Sequence, residues 1–175
     1  MKRLFLALPL TLLLTSCAAS TPNLDGEVVS CAVIEILQSE SKYEALDCLD
    51  GSTGVPVDLI KGPAIINVWG SWCDPCRDEI PYFREFYAQM DQSIKLIGVD
   101  VEEPNPQAGR QFVRDYGITW PNLYDSDGST RKYFGMGVPV TWFIGSDGET
   151  IYKHIGPIKS LTELKELSIK HLGVS

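Results

Sequence analysis

The feature that most constrains this chain is Trp72-Cys73-Asp74-Pro75-Cys76, placed between a strand-like run and a helix-like one. Upstream, Pro63-Ala-Ile-Ile-Asn-Val-Trp69 is short, apolar and rich in β-branched residues, as a buried strand entered through Gly62 would be. Downstream, Ile80, Phe83, Phe86, Tyr87 and Met90 recur at three- and four-residue spacing, which predicts a helix over residues 74–91. The first cysteine therefore sits where unpaired backbone N–H groups and the helix dipole favour negative charge, and its thiolate is stabilised there. The second, one turn along, can reach back to it and is expected to be shielded from solvent. Pro75 suits the first helical turn, where its missing N–H costs little. Asp74 opposes a thiolate and Arg77 favours one.

The same reading extends through the C-terminal part. Ile94 to Val101 predicts a strand, and residues 106–116 a helix with Phe112, Val113 and Tyr116 inward and Gly117 as its stop. Asp125-Ser-Asp-Gly128 is a turn, followed by a short helical stretch to Phe134. Val140 to Ile144 and Thr150 to Ile155 are strands joined by the hairpin signal Gly145-Ser-Asp-Gly148. Residues 160–172 close the chain as an amphipathic helix on Leu161, Leu164, Leu167 and Leu172. The order β-α-β-α-β-β-α implies an α/β fold with a central mixed sheet flanked by helices. Residues 26–61 are less regular, with short strands and a turn at Asp50-Gly-Ser-Thr-Gly54 expected.

The N-terminus has a different character. Lys2 and Arg3 precede an apolar run from Leu4 to Leu14, then Leu14-Thr-Ser-Cys17. A basic start, a short apolar stretch and small residues before a cleavage point describe a secretory signal over residues 1–16. The run is shorter than the roughly 20 residues a membrane-spanning helix needs. Leu-Thr-Ser-Cys resembles the lipobox of bacterial lipoproteins, which implies lipidation at Cys17, a tether over residues 17–25 and a folded domain over residues 26–175. That places the domain on the extracytoplasmic face of a bacterial cell membrane, where disulfides persist. A chain of 175 residues, 44% apolar and 22% charged, suits one domain with a sizeable core, and its net charge of −8 argues against nucleic-acid phosphates as partners.

Cys-X-X-Cys can also be half of a zinc site. Cys31 and Cys48 do not form a second such pair, and His154 and His171 are isolated, so redox chemistry is the better reading of the motif. No metal and no organic cofactor is expected beyond the Cys73–Cys76 disulfide itself.

Asn67-Val-Trp-Gly-Ser-Trp-Cys-Asp-Pro-Cys-Arg-Asp-Glu-Ile-Pro81, Gly98-Val-Asp100 and Gly137-Val-Pro-Val-Thr141 together resemble the thioredoxin superfamily, closest to its membrane-anchored TlpA/ResA/DsbE-like thiol-disulfide oxidoreductases. The resemblance covers roughly residues 45–172. It implies a thioredoxin-like fold with Cys73 as nucleophile and Cys76 as the resolving thiol. It also implies a cis proline at Pro139 facing the disulfide, with the Val138 backbone and Trp72 receiving an extended substrate segment. Pro81 matches the proline that kinks the family's active-site helix. Glu79 matches an acidic residue that modulates cysteine reactivity in the ResA-like group. Asn67 departs from thioredoxin, which has a buried, proton-transferring Asp at that place, so Glu79 or water becomes the candidate for proton transfer. Trp69 and Trp72 flank the site as packing and docking surface.

Setting Cys17 and the local pair aside leaves Cys31 and Cys48, paired by elimination. Closing that loop would stabilise the fold by roughly 3 kcal/mol if the bridge is structural; a second redox couple is the alternative. The expected activity is disulfide exchange with cysteines of exported proteins, coupled to a membrane electron donor or acceptor. Two directions stay open: reduction, as in cytochrome c maturation, or disulfide formation. The competing functions are a thiol peroxidase on a related fold, which would need a Thr- and Arg-defined pocket, and a copper-delivery lipoprotein, which would want Cys-X-X-X-Cys or Met-rich segments.

Overall fold

The computed structural model describes residues 24–135 and 137–174; the expected signal segment and Cys17 lie outside the described residues. The strands are β1 (Asp47–Cys48), β2 (Ala64–Trp69), β3 (Lys95–Val101), β4 (Asn122–Asp125), β5 (Val140–Ile144) and β6 (Thr150–Ile155). The helices are α1 (Asp74–Gln89), α2 (Pro106–Asp115), α3 (Arg131–Phe134) and α4 (Leu161–Leu172). One mixed sheet has the order β1-β4-β3-β2-β5-β6. The centre, β4-β3-β2, is parallel, and β1, β5 and β6 join it antiparallel.

Both faces of the central strands are covered, which explains why β2 is buried at every position instead of alternating. One face carries α1, α2 and α4, with Ile80, Phe83, Phe112 and Leu164 packed over Ile65 and Trp69. The other is closed by Phe134 of α3 and by Leu46 and Val57 from the N-terminal segment, against Ile66, Val68 and Val99. The helical periodicity therefore reads correctly: Ile80, Phe83, Phe86 and Met90 are buried, and Tyr87 packs at their edge.

Boundaries and connections differ in places. α1 ends at Gln89, two residues before the expected stop, with Met90 capping it through an N–H to the Phe86 carbonyl. α2 ends at Asp115 and the chain turns at Gly117, whose φ of +66° suits glycine. The segment 122–125, of which only Asp125 was read, as the start of a turn, is strand β4. It is four residues long, and its strand character comes from partners on both sides, β3 and β1. Within 26–61 the regular structure consists of two-residue β1 and 3₁₀ turns at Cys31–Val33 and Val57–Leu59. Gly26 and Glu27 anchor this segment by N–H bonds to the carbonyls of Arg114 and Ile118, 3.3 and 2.9 Å long.

Candidate active site

β2 ends at Trp69, and Gly70-Ser71-Trp72 carries the chain to Cys73, the N-cap of α1. Cys73 and Cys76 are joined in a disulfide with Cα atoms 5.3 Å apart. The Cys73 sulfur also lies 3.2 Å from the Cys76 backbone nitrogen, whose N–H points at it. An N–H at a helix start stabilises a sulfur anion at that position, so the geometry favours thiolate on Cys73 once the bond is reduced. Cys76 is fully buried and Cys73 nearly so.

Three contacts fix the preceding loop. The Ser71 carbonyl accepts from both Nε and Nη2 of Arg77, its N–H donates to Glu103 Oε1, and the Trp72 indole donates to the Val101 carbonyl at 3.3 Å. Arg77 also pairs with Asp74 at 2.7 Å, so the two charges flanking the disulfide are directed at each other. Trp72 is half-exposed and offers a surface. Trp69 does not: it is fully buried, stacked on Phe112 with centroids 4.6 Å apart, which corrects the expectation of a docking role for it. Its position in the last pair of the β2–β3 ladder directs it into the core beneath α2.

Val140 pairs with Val68 across β2 and β5, so Val138 and Pro139 lie at the end of the sheet from which the Cys73 loop departs. The Val138–Pro139 peptide bond is cis. Val138 is partly buried against the cluster that contains both site cysteines, and the Pro139 carbonyl accepts from Gly156 N–H at 3.1 Å. The Gly62–Pro63 bond at the start of β2, which nothing in the sequence singles out, is also cis.

Beneath the disulfide lies a buried acid. Glu79 is fully buried, three residues beyond Cys76 on the same helix, and at that spacing the two side chains are neighbours on one face. Its Oε1 accepts from Asn67 Nδ2 at 2.7 Å and its Oε2 from the Ile158 N–H at 2.9 Å. Burial pushes its pKa up to about 7, against the two hydrogen bonds that favour the ionised form. Asn67 on the central strand thus holds an acid that comes from the helix.

Two acidic residues near the site were given no role from the sequence, although Asp100 closes the Gly98-Val-Asp100 segment of the family resemblance. Asp100 at the end of β3 is fully buried, and Glu103 in the following loop is nearly so. A signal was available, since a carboxylate inside Leu96-Ile-Gly-Val-Asp-Val101 interrupts an otherwise apolar strand. Cys31 and Cys48 do form a disulfide, buried between the first 3₁₀ turn and β1. β4 and β3 separate β1 from β2, so this bridge is away from the Cys73 loop. With Asp50 it makes the one grouping of metal-type ligands among the described residues, but its sulfurs are bonded to each other.

A mixed sheet with helices on both faces, a Cys-X-X-Cys disulfide at the start of the first long helix and a cis proline at the neighbouring strand end define the thioredoxin-like class. The match to a family model over residues 44–153 is more specific: the chain belongs to the AhpC/TSA family. It is 35% identical over 106 residues to the sporulation thiol-disulfide oxidoreductase A of Bacillus subtilis, an overlap of 58% of this chain and 64% of that protein. It is 31% identical over 103 residues to the thiol-disulfide oxidoreductase ResA of Oceanobacillus iheyensis, covering 58% and 53% respectively. The chain thus spans between half and two thirds of the length of these curated relatives. Among solved structures, StoA from Bacillus subtilis superposes with a TM-score of 0.59 at 30% identity, over 71% of this chain and 95% of that one.

Proposed function

We propose that this protein is a thiol-disulfide oxidoreductase that works outside the cytoplasm on cysteines of exported proteins. The observation that carries the reading is the Cys73–Cys76 disulfide at the N-cap of α1 with a buried acid near pKa 7 three residues further along. The names of the relatives support it. In the reducing direction, the Cys73 thiolate attacks a substrate disulfide. An S–S bond forms between Cys73 and the substrate, the substrate's own S–S bond breaks, and the departing thiolate takes a proton. Cys76 then gives up its proton and attacks the Cys73 sulfur, which re-forms the enzyme disulfide and expels the second substrate thiolate. Two electrons pass from enzyme to substrate. Glu79 accepts the Cys76 proton, since an acid near neutrality can take and return it at physiological pH. The oxidising direction is the reverse sequence. No cofactor beyond the Cys73–Cys76 disulfide takes part.

Val138, Pro139 and half-exposed Trp72 form the substrate-facing rim, with an extended segment pairing along the Val138 backbone. Lipidation at Cys17 holds the domain on the membrane surface, and a membrane donor or acceptor resets the disulfide; no helix of the described residues is long and apolar enough to cross a bilayer.

The test is a trapping experiment. Cys76→Ser should accumulate a mixed disulfide through Cys73 with exported proteins, and the wild-type protein should turn over a dithiol and a disulfide. An absence of any adduct, or turnover of peroxide in place of disulfides, would overturn the reading. A reduction potential near about −270 mV assigns the reducing direction, and one near about −120 mV the oxidising direction.

A further inference from the structure

Asp100 is surrounded without being satisfied. It is fully buried, and neither carboxyl oxygen receives a hydrogen bond from a protein donor. α2 closes over it: a Cβ at Gly109 would fall 1.9 Å from Asp100 Oδ2, so the helix backbone comes too close for any side chain at that position. The carboxyl that acts on it is that of Glu103, three residues further along and itself buried. Glu103 in turn accepts the Ser71 N–H, two residues before Cys73.

Among the described residues, the other elements packed here bring no charge to balance two carboxylates. β2 contributes the Trp69 ring. β4 contributes Tyr124, whose hydroxyl donates to the Glu103 carbonyl at 3.3 Å, and Tyr124 pairs in register with Asp47 of β1. On α2, Arg110 gives its Nε–H to the Leu49 carbonyl. From α1, Arg77 is committed to the Ser71 carbonyl and Asp74. Half-buried Glu102, beside Glu103, pairs with Arg131.

We propose that Asp100 and Glu103 share one proton, Asp100 donating and Glu103 accepting, and that this acid pair holds the Gly70–Trp72 loop in the geometry that places Cys73 at the helix start. Both are positioning residues. The inference rests on the disulfide-exchange reading for its consequence, but the shared proton stands without it. Burial and the adjacent Glu103 carboxyl, acting in the same direction, push Asp100 up to about 9. Below that pH the pair carries one charge and the Ser71 N–H stays bound. Above it two carboxylates face each other in a site with no cation, and the loop is released.

The experiment follows carboxyl carbons and the Ser71 amide by NMR in the oxidised protein, where neither site cysteine titrates. In the wild type, one carboxyl of the pair should titrate near about pH 9, and the Ser71 amide shift should follow the same curve. In Asp100→Asn the amide nitrogen replaces the proton as donor to Glu103, so the Ser71 shift should stay level through that range. Glu103→Gln, which gives Asp100 a donor and removes its charged neighbour, should bring the Asp100 titration down towards ordinary carboxylate values. Glu103→Ala should slow disulfide exchange about tenfold by freeing the loop, while Asp100→Asn stays within about twofold of the wild type. If both carboxyls titrate as ordinary surface acids, or the Ser71 amide ignores them, the pair is disproved while the exchange activity is untouched. If the titration appears and the protein exchanges no disulfide, the functional reading fails and the acid pair remains.

Discussion

The two disulfides differ in what faces their sulfurs, not in how deeply they lie. Cys31, Cys48, Cys73 and Cys76 are 1, 3, 4 and 0% exposed, so burial does not separate a structural bridge from a reactive one. Both Cys31 and Cys48 place their sulfur 3.5 Å from the Asn122 carbonyl oxygen, with the Asp50 carboxylate also nearby. A lone pair and a negative charge both disfavour thiolate. At Cys73 the polar neighbour is an N–H at the start of a 16-residue helix, which favours it. Loop length separates them as well. The Cys31–Cys48 bridge spans 17 positions and restrains the unfolded chain, whereas the three-position span of Cys73–Cys76 restrains little.

The sharpest way to break this comparison is to exchange the effects of removing each pair. Cys73→Ser should reduce exchange by on the order of 10³-fold or more, as loss of a nucleophile does, with a modest change in stability. Replacing Cys31 and Cys48 together by Ala should cost roughly 3 kcal/mol of unfolding free energy and leave exchange within about twofold. Denaturant melts beside an insulin-reduction assay measure both. If the Cys31/Cys48 variant loses exchange but keeps its stability, the second bridge is a redox partner and the assignment of roles is wrong. Mild dithiol treatment of the native protein, followed by alkylation, should label Cys73 and leave Cys31 and Cys48 bonded.

Glu79 extends the contrast below the surface: it is fully buried one turn beyond Cys76, whereas Asp50, the acid grouped with the other bridge, is exposed. Its folded pKa, about 7, is raised above the ordinary 4.5. The linked stability is therefore fully present below about pH 4.5 and is lost as pH rises through about 7, by roughly 3 kcal/mol in total. Glu79→Gln should flatten this part of the stability profile. It should also remove the neutral-pH step from the exchange rate, measured in the reducing direction at saturating dithiol. A wild-type rate that is level between about pH 6 and pH 8 would exclude Glu79 from the proton path.

How far the sequence carried the site depends on whether the signal was local. The strand-to-helix junction at Cys73 is contiguous, so the cysteine positions, α1 and the capping role followed from pattern. Glu79 was half legible. The family resemblance singles it out, but a solvated helix residue fits the sequence equally well, because the partners that mark its burial, Asn67 and Ile158, are 12 and 79 residues away. β4 was missed because four residues beginning with Asn and ending with Asp have little strand character until β3 and β1 flank them. The stacking of Trp69 on Phe112 and the closure of Gly109 over Asp100 depend on α2 packing over the ends of β2 and β3, a tertiary event that no window of sequence contains.

The smallest expected effect decides what makes Cys73 different. Asp74 and Arg77 both flank the thiol, with opposite signs, and their 2.7 Å ion pair directs each charge at the other on an exposed surface where solvent screens both. If the helix start is what favours the thiolate, Asp74→Asn should speed alkylation of reduced Cys73 at neutral pH by no more than about twofold, since one opposing charge is gone. Arg77→Lys, which keeps the charge but gives up the planar grip on the Ser71 carbonyl, should slow it by a similar factor through the loop. The double variant should come back close to the wild-type rate, because the two changes oppose each other. A change of tenfold or more from Asp74→Asn alone would move the origin of the contrast from the backbone N–H groups of α1 to the side chains around them. The Cys31–Cys48 bridge would then be inert for want of a charged neighbour of the right sign, and placing a cation beside it would suffice to make it reactive.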